Sequence, residues 1–178
     1  MSLSRGDFDD QIVQWAASGI AHIQRVLDIG PGAGKYGHLL HRMKPDIDAV
    51  ELNGEFVERF GLKRWYANIV IADIGSYQIP NGVYALIILG DIIEHLSIPA
   101  AQGLVERVVA AAPLVLVVIP FSAPESLGNY PGGTHLQGDL TPEVVAKRYR
   151  RLRLWLCNQR VGVYFAGDRA EDTIRLSR

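Results

Sequence analysis

The chain has 178 residues, a formal net charge of -1 and a hydrophobic fraction of 48%. A chain of this length fits one domain, which buries roughly 70% of its unfolded surface without the help of metals or disulfides. The small net charge excludes a global electrostatic field for polyanions such as nucleic acids. The N-terminal residues lack the basic-then-apolar pattern of a leader, and no apolar run is long enough to cross a membrane. We therefore predict one cytoplasmic domain over residues 1–178.

The single cysteine, Cys157, cannot form an intramolecular disulfide or a multi-cysteine metal site. It lies in an apolar run, so we expect a buried thiol in a reducing compartment.

Apolar runs alternate with helical patterns along the chain. After a leading helix over 8–20, strands are predicted at 23–29, 47–52, 68–74, 84–89, 114–119, 153–158 and 161–166. Helical spacing of apolar residues follows at 36–43, 56–60 and 100–112. The runs at 84–89 and 114–119 are almost continuously apolar, which is typical of parallel strands covered on both faces. Two residues separate the last two strands, and this gap permits only an antiparallel hairpin.

This order of elements predicts an α/β fold: a doubly wound three-layer sandwich with a mostly parallel sheet and an antiparallel C-terminal hairpin strand. The core covers about 21–166. The stretch at 121–141 is rich in Gly, Pro and Ser and is predicted to be a functional loop over the acceptor. The last residues, from Gly167, are charge-rich and are expected to form a partly ordered tail.

The stretch DIGPGAGKYG (28–37) follows the first strand, where open α/β sheets bind their ligands. It does not fit a mononucleotide P-loop, because Ile29 stands where the first glycine is needed and Tyr36 where the hydroxyl is needed. It fits a dinucleotide fingerprint poorly, because Lys35 replaces the third glycine. The stretch matches a third pattern, D-x-G-x-G-x-G, at every fixed position.

That pattern, formed by Asp28, Gly30, Gly32 and Gly34, resembles the cofactor loop of class I S-adenosylmethionine-dependent methyltransferases. The resemblance covers nearly the whole chain and implies a Rossmann-like, seven-stranded sheet with S-adenosylmethionine as the cofactor. In that family the glycines pass under the methionyl part of the cofactor, and the acid helps to hold its amino group. The cofactor carries an ammonium, a carboxylate and a sulfonium but no phosphate.

Two further loops extend the resemblance. Glu51, followed by Leu52, stands where the family places an acid that accepts hydrogen bonds from the ribose hydroxyls. Asp73 stands where an acid meets the adenine amino group, with the backbone amide of Ile74 meeting a ring nitrogen. Gly90, at the end of the fourth strand, is also assigned to the cofactor site by the resemblance.

The segment LGDIIEHLS (89–97) resembles the loop that faces the acceptor in small-molecule members of the superfamily. His95 is the first candidate for a base, because an ordinary imidazole pKa suits proton removal at neutral pH. His135, in the long loop, is the second candidate, and Asp91 is a candidate for orienting the acceptor or the cofactor ammonium. All three have the alternative of a structural role, and so does Glu94.

The predicted function is methyl transfer from S-adenosylmethionine to an O or N atom of a small molecule. Neither the tetrapeptide of DNA amino-methyltransferases nor an Asp-Asp-Asn metal pattern is found, so DNA methylation and a metal site are not expected. An NAD-dependent oxidoreductase and a non-catalytic S-adenosylmethionine-binding protein are the alternatives. Five cations at 147–153 make methylation of RNA or protein a third alternative function. The solvated end of a helix is the simpler interpretation of that run, and a homodimer is compatible with the sequence.

Overall fold

A computed structural model describes residues 6–19, 25–43, 46–121 and 135–177. The strands are β1 (Arg25–Ile29), β2 (Asp46–Glu51), β3 (Asn68–Ile71), β4 (Leu86–Gly90), β5 (Val115–Pro120), β6 (Arg153–Cys157) and β7 (Val161–Ala166). The helices are α1 (Asp9–Gly19), α2 (Lys35–Leu40), α3 (Gly54–Arg59), α4 (Ile98–Ala111), α5 (Pro142–Arg148) and α6 (Ala170–Leu176). Single 3-10 turns lie at His41–Met43, Leu62–Arg64 and Ile93–His95.

The seven strands form one sheet in the order β3-β2-β1-β4-β5-β7-β6. Strands β1 to β5 are parallel to their neighbours, whereas β7 is antiparallel to both β5 and β6. The chain leaves β1 for β2 on one side and returns to β4 on the other, so the order reverses between β1 and β4. The predicted fold class, including the antiparallel hairpin, is confirmed.

Alternating residues of the central strands build two cores, one on each face of the sheet. Leu27 and Ile87 belong to the core that α4 covers, and Val26 and Leu86 belong to the core that α1 covers. Since all these side chains are buried, the apolar runs seen in the sequence reflect a central sheet with no wet face.

Short polar side chains fix where three of the helices begin. Asn53, Ser97 and Thr141 precede α3, α4 and α5, and each accepts a hydrogen bond from a backbone N–H of the first turn. Proline stands in the first turn of α4 and of α5, where its missing N–H costs nothing.

The structure departs from the sequence predictions at three places. Strand β3 ends at Ile71 rather than at residue 74. Cys157 is exposed, because it lies on the edge strand β6. The charge-rich C-terminal stretch contains helix α6, which packs Ala170 onto the core.

Most of the predicted acceptor loop, at 122–134, lies outside the described residues. In the described parts of the chain, no helix has the length and apolar character needed to cross a bilayer.

The cluster of Trp15, Trp155 and Phe165 provides a test of how α1 is held on the sheet. The ring centroid of Trp15 lies 4.9 Å from that of Phe165 and 6.1 Å from that of Trp155. Replacing a buried tryptophan by alanine leaves a cavity, so we expect Trp15→Ala to lower the free energy of unfolding by about 3–5 kcal/mol in a urea titration. The control Leu176→Ala, at an 82% exposed position, should change it by less than about 0.5 kcal/mol. A loss below about 1 kcal/mol for Trp15→Ala would contradict this packing role.

Candidate functional site

A cleft of about 620 Å³ opens beyond the carboxyl ends of β1, β2 and β4, where the strand order reverses. Ligands of doubly wound sheets bind at this position. Of the twelve residues that the sequence singles out as site residues, ten line the cleft: Gly30, Gly32, Gly34, Glu51, Leu52, Asp73, Ile74, Gly90, Asp91 and His95. Asp28 lies behind the glycine loop and His135 beside His95, so neither is part of the lining.

The glycine loop makes a tight turn against the segment after β4. Gly30 has a φ of +66°, and a Cβ there would lie 2.2 Å from Cδ1 of Ile92. Its N–H donates to the carbonyl of Val50 at 2.8 Å. Any other residue would meet both strain and a clash, so glycine is required at this position.

Asp28 is buried, with 1% of its surface exposed. Its Oδ2 accepts a hydrogen bond of 2.5 Å from the hydroxyl of Tyr66, which in turn accepts one from the N–H of Gly37. Its Oδ1 has no hydrogen-bond partner among the described residues. Burial raises the pKa of Asp28 to about 7, although the Tyr66 hydrogen bond opposes the shift. Nothing in the sequence pattern pointed to Tyr66 as the partner of this acid.

Glu51 ends β2 and is almost fully buried, yet it lines the cleft. Its Oε2 accepts from the N–H of Gly32 at 3.1 Å, and its Oε1 accepts from the N–H of Asn53 at 2.8 Å. A carboxylate oxygen can accept two hydrogen bonds, so each oxygen of Glu51 keeps one acceptor site that these backbone groups do not use. The backbone therefore fixes this carboxylate at the cleft.

Asp73 follows β3 in a turn rather than ending the strand. Its Oδ1 accepts from the N–H of Gly75 at 2.7 Å, and this local bond bends the backbone away from the sheet. Arg107 of α4 fixes the turn by donating to the carbonyl of Ile74 at 2.6 Å. Leu52 and Ile74 both line the cleft, and Leu52 is 60% exposed, a large apolar surface for a flat ligand.

Gly90 allows a buried aromatic ring to pack under the end of β4. A Cβ on Gly90 would lie 2.1 Å from Cε2 of Tyr36. The hydroxyl of Tyr36 is buried without a hydrogen-bond partner among the described residues. Its pKa is raised well above the ordinary value by burial, and the neighbouring charge of Asp91 raises it further. It stays a neutral phenol at the floor of the cleft.

The other side of the cleft is formed by the segment after β4. Asp91 has a φ of +54°, a strained conformation for a residue with a side chain, and its N–H donates to Val118. Glu94 is fully buried, and neither carboxylate oxygen has a hydrogen-bond partner among the described residues. Burial raises the pKa of Glu94 well above its usual range, and the charge of Asp91 adds to this. His95 lines the cleft, with its Nε2 3.8 Å from Oε1 of Glu94.

Gln137 brings the distant His135 to this segment. The side-chain amide of Gln137 donates to the backbone carbonyls of Ile93 at 2.7 Å and Leu96 at 3.0 Å. The backbone N–H of Gln137 donates to the backbone carbonyl of Glu94. The ring of His135 then meets that of His95 edge-on, with centroids 4.7 Å apart. Burial lowers the pKa of His135, so its imidazole is neutral at neutral pH. The sequence spacing between Glu94 and Gln137 gave no signal for this contact.

Helix α1 closes one rim of the cleft. Asp9, in its first turn, forms an ion pair of 2.7 Å with Lys35 of α2, and both residues line the cleft. Lys35, which the sequence left as an ordinary helix residue, therefore has a structural role. Because Asp9 neutralises it, Lys35 is poorly suited to holding a phosphate.

Three cations of the basic run at 147–153 are paired within the chain. Arg148 binds Asp139 at 2.7 Å, Arg151 faces Glu106 and Arg153 faces Glu171. These ion pairs reduce the positive surface available for a polyanion, in agreement with the interpretation as the end of a helix, α5.

No protein-family model matches the sequence, and no curated protein matches it either. Solved structures share its fold. A methyltransferase dependent on S-adenosylmethionine from Clostridium acetobutylicum superposes with a TM-score of 0.67 at 13% identity, over 93% of this chain and 92% of its own. The N-terminal domain of EvdMO1 with S-adenosylhomocysteine bound gives a TM-score of 0.65 at 11% identity, over 89% and 80%.

The mitomycin 7-O-methyltransferase MmcR gives a TM-score of 0.62 at 15% identity, over 90% of this chain but only 54% of its own. The chain thus spans little more than half the length of some of its structural neighbours. Taken together, these likenesses show that the chain has the class I methyltransferase fold.

The contact between Gly90 and Tyr36 generates a test of the cleft floor. Gly90→Ala forces a methyl group into the Tyr36 ring, and overpacking of this kind costs about 1–3 kcal/mol of unfolding free energy. The matched control is Gly103→Ala in α4, where an added Cβ meets nothing within 4 Å. It should stabilise the protein by about 0.5–1 kcal/mol, because alanine favours helix over glycine. Urea titration of both variants measures the contrast, and equal effects would refute the close contact.

The raised pKa of Asp28 predicts a pH-dependent stability. Its folded pKa of about 7 lies above the unfolded value of about 3.9, so the folded state binds more protons between these values. Stability from this group is therefore present below pH 4 and is lost as the pH rises towards 7, by roughly 4 kcal/mol at most. Asp28→Asn should remove this contribution in urea titrations between pH 4 and 8, so that the variant loses less stability than the unmodified protein. A smaller slope of the same sign remains because the pKa of Glu94 is also raised.

The control for Asp28→Asn is Asp168→Asn, which changes an exposed carboxyl and should leave the slope as in the unmodified protein. If Asp28→Asn and the unmodified protein lose stability in parallel across this range, Asp28 is ionised in the folded state and the assignment is wrong.

Proposed function

We propose that the protein is a methyltransferase that uses S-adenosylmethionine to methylate an O or N atom of a small molecule. The observation that carries the proposal is the order of the cleft lining. Three loops, after β1, β2 and β3, present the glycines, Glu51 and Asp73 to one cleft. A cofactor made of an amino acid, a ribose and an adenine matches that order of donors and acceptors.

The residues present fit this cofactor. The unpartnered Oδ1 of the buried Asp28 offers an acceptor behind the loop for an ammonium group, directly or through water. Glu51 keeps acceptor capacity for the two ribose hydroxyls. Leu52 and Ile74 supply apolar surface for the adenine ring, and the Asp73 carboxylate can accept from its amino group.

The charge of the lining also suits the proposal. Four acids line the cleft, and of the two strongly basic residues there, Lys35 is paired with Asp9. The sulfonium and ammonium of the cofactor outweigh its single carboxylate, so an acidic cleft attracts it. The two phosphates of NAD would instead meet net negative charge, which disfavours the oxidoreductase alternative.

When bound, S-adenosylmethionine supplies an electrophilic methyl group on sulfur. The role of the protein is to hold the acceptor in line with that group and to accept its proton. Asp91 and His95 line the same cleft, so we assign the orienting role to Asp91 and the base to His95. His135 contacts His95 and not the cleft, so we assign it to positioning that ring.

The convergence of Asp91 and His95 on the cleft supports an enzyme over a non-catalytic binding protein. A scaffold that only held the cofactor would have no need for a strained acid and an imidazole beside the methyl position. The small-molecule acceptor is supported by the neutralised basic run and by the likeness to a mitomycin O-methyltransferase. A single exposed thiol is compatible with the cytoplasm.

Isothermal titration tests the proposal directly. We expect saturable binding of S-adenosylmethionine and of S-adenosylhomocysteine, and no saturable binding of NAD at the same concentrations. A screen of phenols, alcohols and amines for release of S-adenosylhomocysteine then identifies the acceptor. Binding of NAD without binding of S-adenosylmethionine would reject the proposal.

Glu51→Gln tests the ribose contact. Glutamine keeps the size of the side chain and one acceptor oxygen but loses the charge, so we expect cofactor affinity to fall by about 1–3 kcal/mol. Glu55→Gln, an exposed neighbour on α3, is the matched control and should bind as the unmodified protein does. Titration with S-adenosylhomocysteine measures both, and equal affinities for the two variants would remove Glu51 from the site.

A further inference from the structure

Three potential metal ligands meet beside the cleft although they are distant in the sequence. One carboxylate oxygen of Glu94 and one ring nitrogen each of His95 and His135 lie within 4.8 Å of one another. Ligand atoms that lie about 2.1 Å from one tetrahedral ion are about 3.4 Å apart, so the longest separation must close by up to about 1.4 Å on binding. We expect rotation of the His135 side chain, which is partly exposed, to provide this movement.

The buried carboxylate of Glu94 is the independent sign of a ligand. It has no exposed surface, and neither of its carboxylate oxygens has a hydrogen-bond partner among the described residues. Buried carboxylates in proteins are paired, hydrogen-bonded or bound to metal. His95, at 3.8 Å, is too far for a hydrogen bond but close enough to share an ion with this group.

The surrounding structure is built to hold this arrangement. Gln137, which is 3% exposed, ties the segment of His135 to the turn Ile93–His95 through its side chain and its N–H. Its own carbonyl oxygen accepts from the hydroxyl of Tyr149 at 2.7 Å and from Arg148 at 2.8 Å. Fixed outer partners of this kind orient the ligands of metal sites.

We propose that Glu94, His95 and His135 bind one divalent transition-metal ion at the acceptor side of the cleft. Two imidazoles and one carboxylate favour manganese, iron, cobalt, nickel or zinc over calcium and magnesium. The set supplies three ligands and leaves coordination positions open. His95 lines the cleft, so those positions face the space where the acceptor would lie.

The inference deepens the proposed function and, for the role of the ion, rests on it. An acceptor hydroxyl that binds an open position loses its proton more readily, because the ion stabilises the alkoxide. With the metal bound, His95 serves as a ligand instead of the base, and the proton passes to the carboxylate of Asp91, which lines the same cleft. The ion thus favours oxygen acceptors over protonated amines. The sequence predicted no metal site, because it shows no clustered Asp-Asp-Asn pattern. Glu94 and His135 are far apart in the sequence, with α4 and β5 between them.

Titration of the tag-free, metal-free protein with Co²⁺ tests the site, read by calorimetry and by the visible absorption of the bound ion. We expect one Co²⁺ per chain, with absorption bands typical of nitrogen and oxygen ligands. Glu94→Gln and His135→Ala should each weaken binding at least tenfold. The control is His41→Ala, which removes a histidine that stacks on His38 away from the three ligands and should leave Co²⁺ affinity unchanged.

Absence of stoichiometric Co²⁺ binding, or unchanged binding in both Glu94→Gln and His135→Ala, overturns the metal site. His135→Ala keeps the test valid if Glu94→Gln fails to fold, because the His135 side chain is partly exposed. S-adenosylhomocysteine is titrated in parallel with the same samples. Co²⁺ binding without cofactor binding would refute the proposed function and leave the metal site standing, whereas cofactor binding without Co²⁺ binding would do the opposite.

Discussion

The hydrogen bond from Tyr66 to the buried carboxyl of Asp28 is the interaction on which the cleft depends. It joins the end of β1 to the segment after α3, and the same hydroxyl accepts from Gly37 in α2. Three separate elements thus meet at one phenolic oxygen behind the glycine loop. Because these contacts fix the position of the glycine loop from behind, the loop backbone can approach a ligand closely and still keep its shape. Loss of this hydrogen bond would leave a buried acid with no described partner, which is a large penalty for any fold.

The cleft has two halves with different chemistry. In the half formed by the loops after β1, β2 and β3, two acids are held by backbone N–H groups: Gly32 and Asn53 donate to Glu51, and Gly75 donates to Asp73. That half is preorganised in the free protein. In the other half, Asp91 has a strained backbone, and the carboxylate oxygens of the buried Glu94 have no hydrogen-bond partner among the described residues. Groups left in this state are common where a protein binds or transforms a ligand, because the ligand completes the interactions.

The sequence predicted the fold class well because its signals are local. Apolar runs, the helical spacing of apolar residues and the two-residue gap before β7 are all visible within a few positions of the chain. The loops after β1, β2 and β3 could be placed at one cleft, because parallel strands bring their carboxyl ends to one edge of the sheet. Strand β3 was predicted too long because Asp73 bends the backbone through its own side chain. Cys157 was predicted to be buried because an apolar run does not reveal that its strand lies at the edge of the sheet.

Contacts between distant segments could not be predicted. Tyr66 reaches Asp28, and Gln137 reaches the turn Ile93–His95, through side chains whose partners are set by the packed fold and not by spacing. Tyrosine and glutamine are also common in solvated loops, so the residue type alone did not indicate that Tyr66 and Gln137 make buried contacts. The predicted acceptor loop remains a prediction, because most of it, at 122–134, lies outside the described residues.

The antiparallel position of β7 has a consequence for how the protein is made. Strand β5 pairs with β4 on one side and finds its second neighbour only in β7, after α5 and β6 have been added. During synthesis, a fully apolar central strand therefore has an open edge until β7 has left the ribosome. Open strand edges invite pairing with other chains. The yield of folded protein should depend on how fast this last stretch is translated and docked.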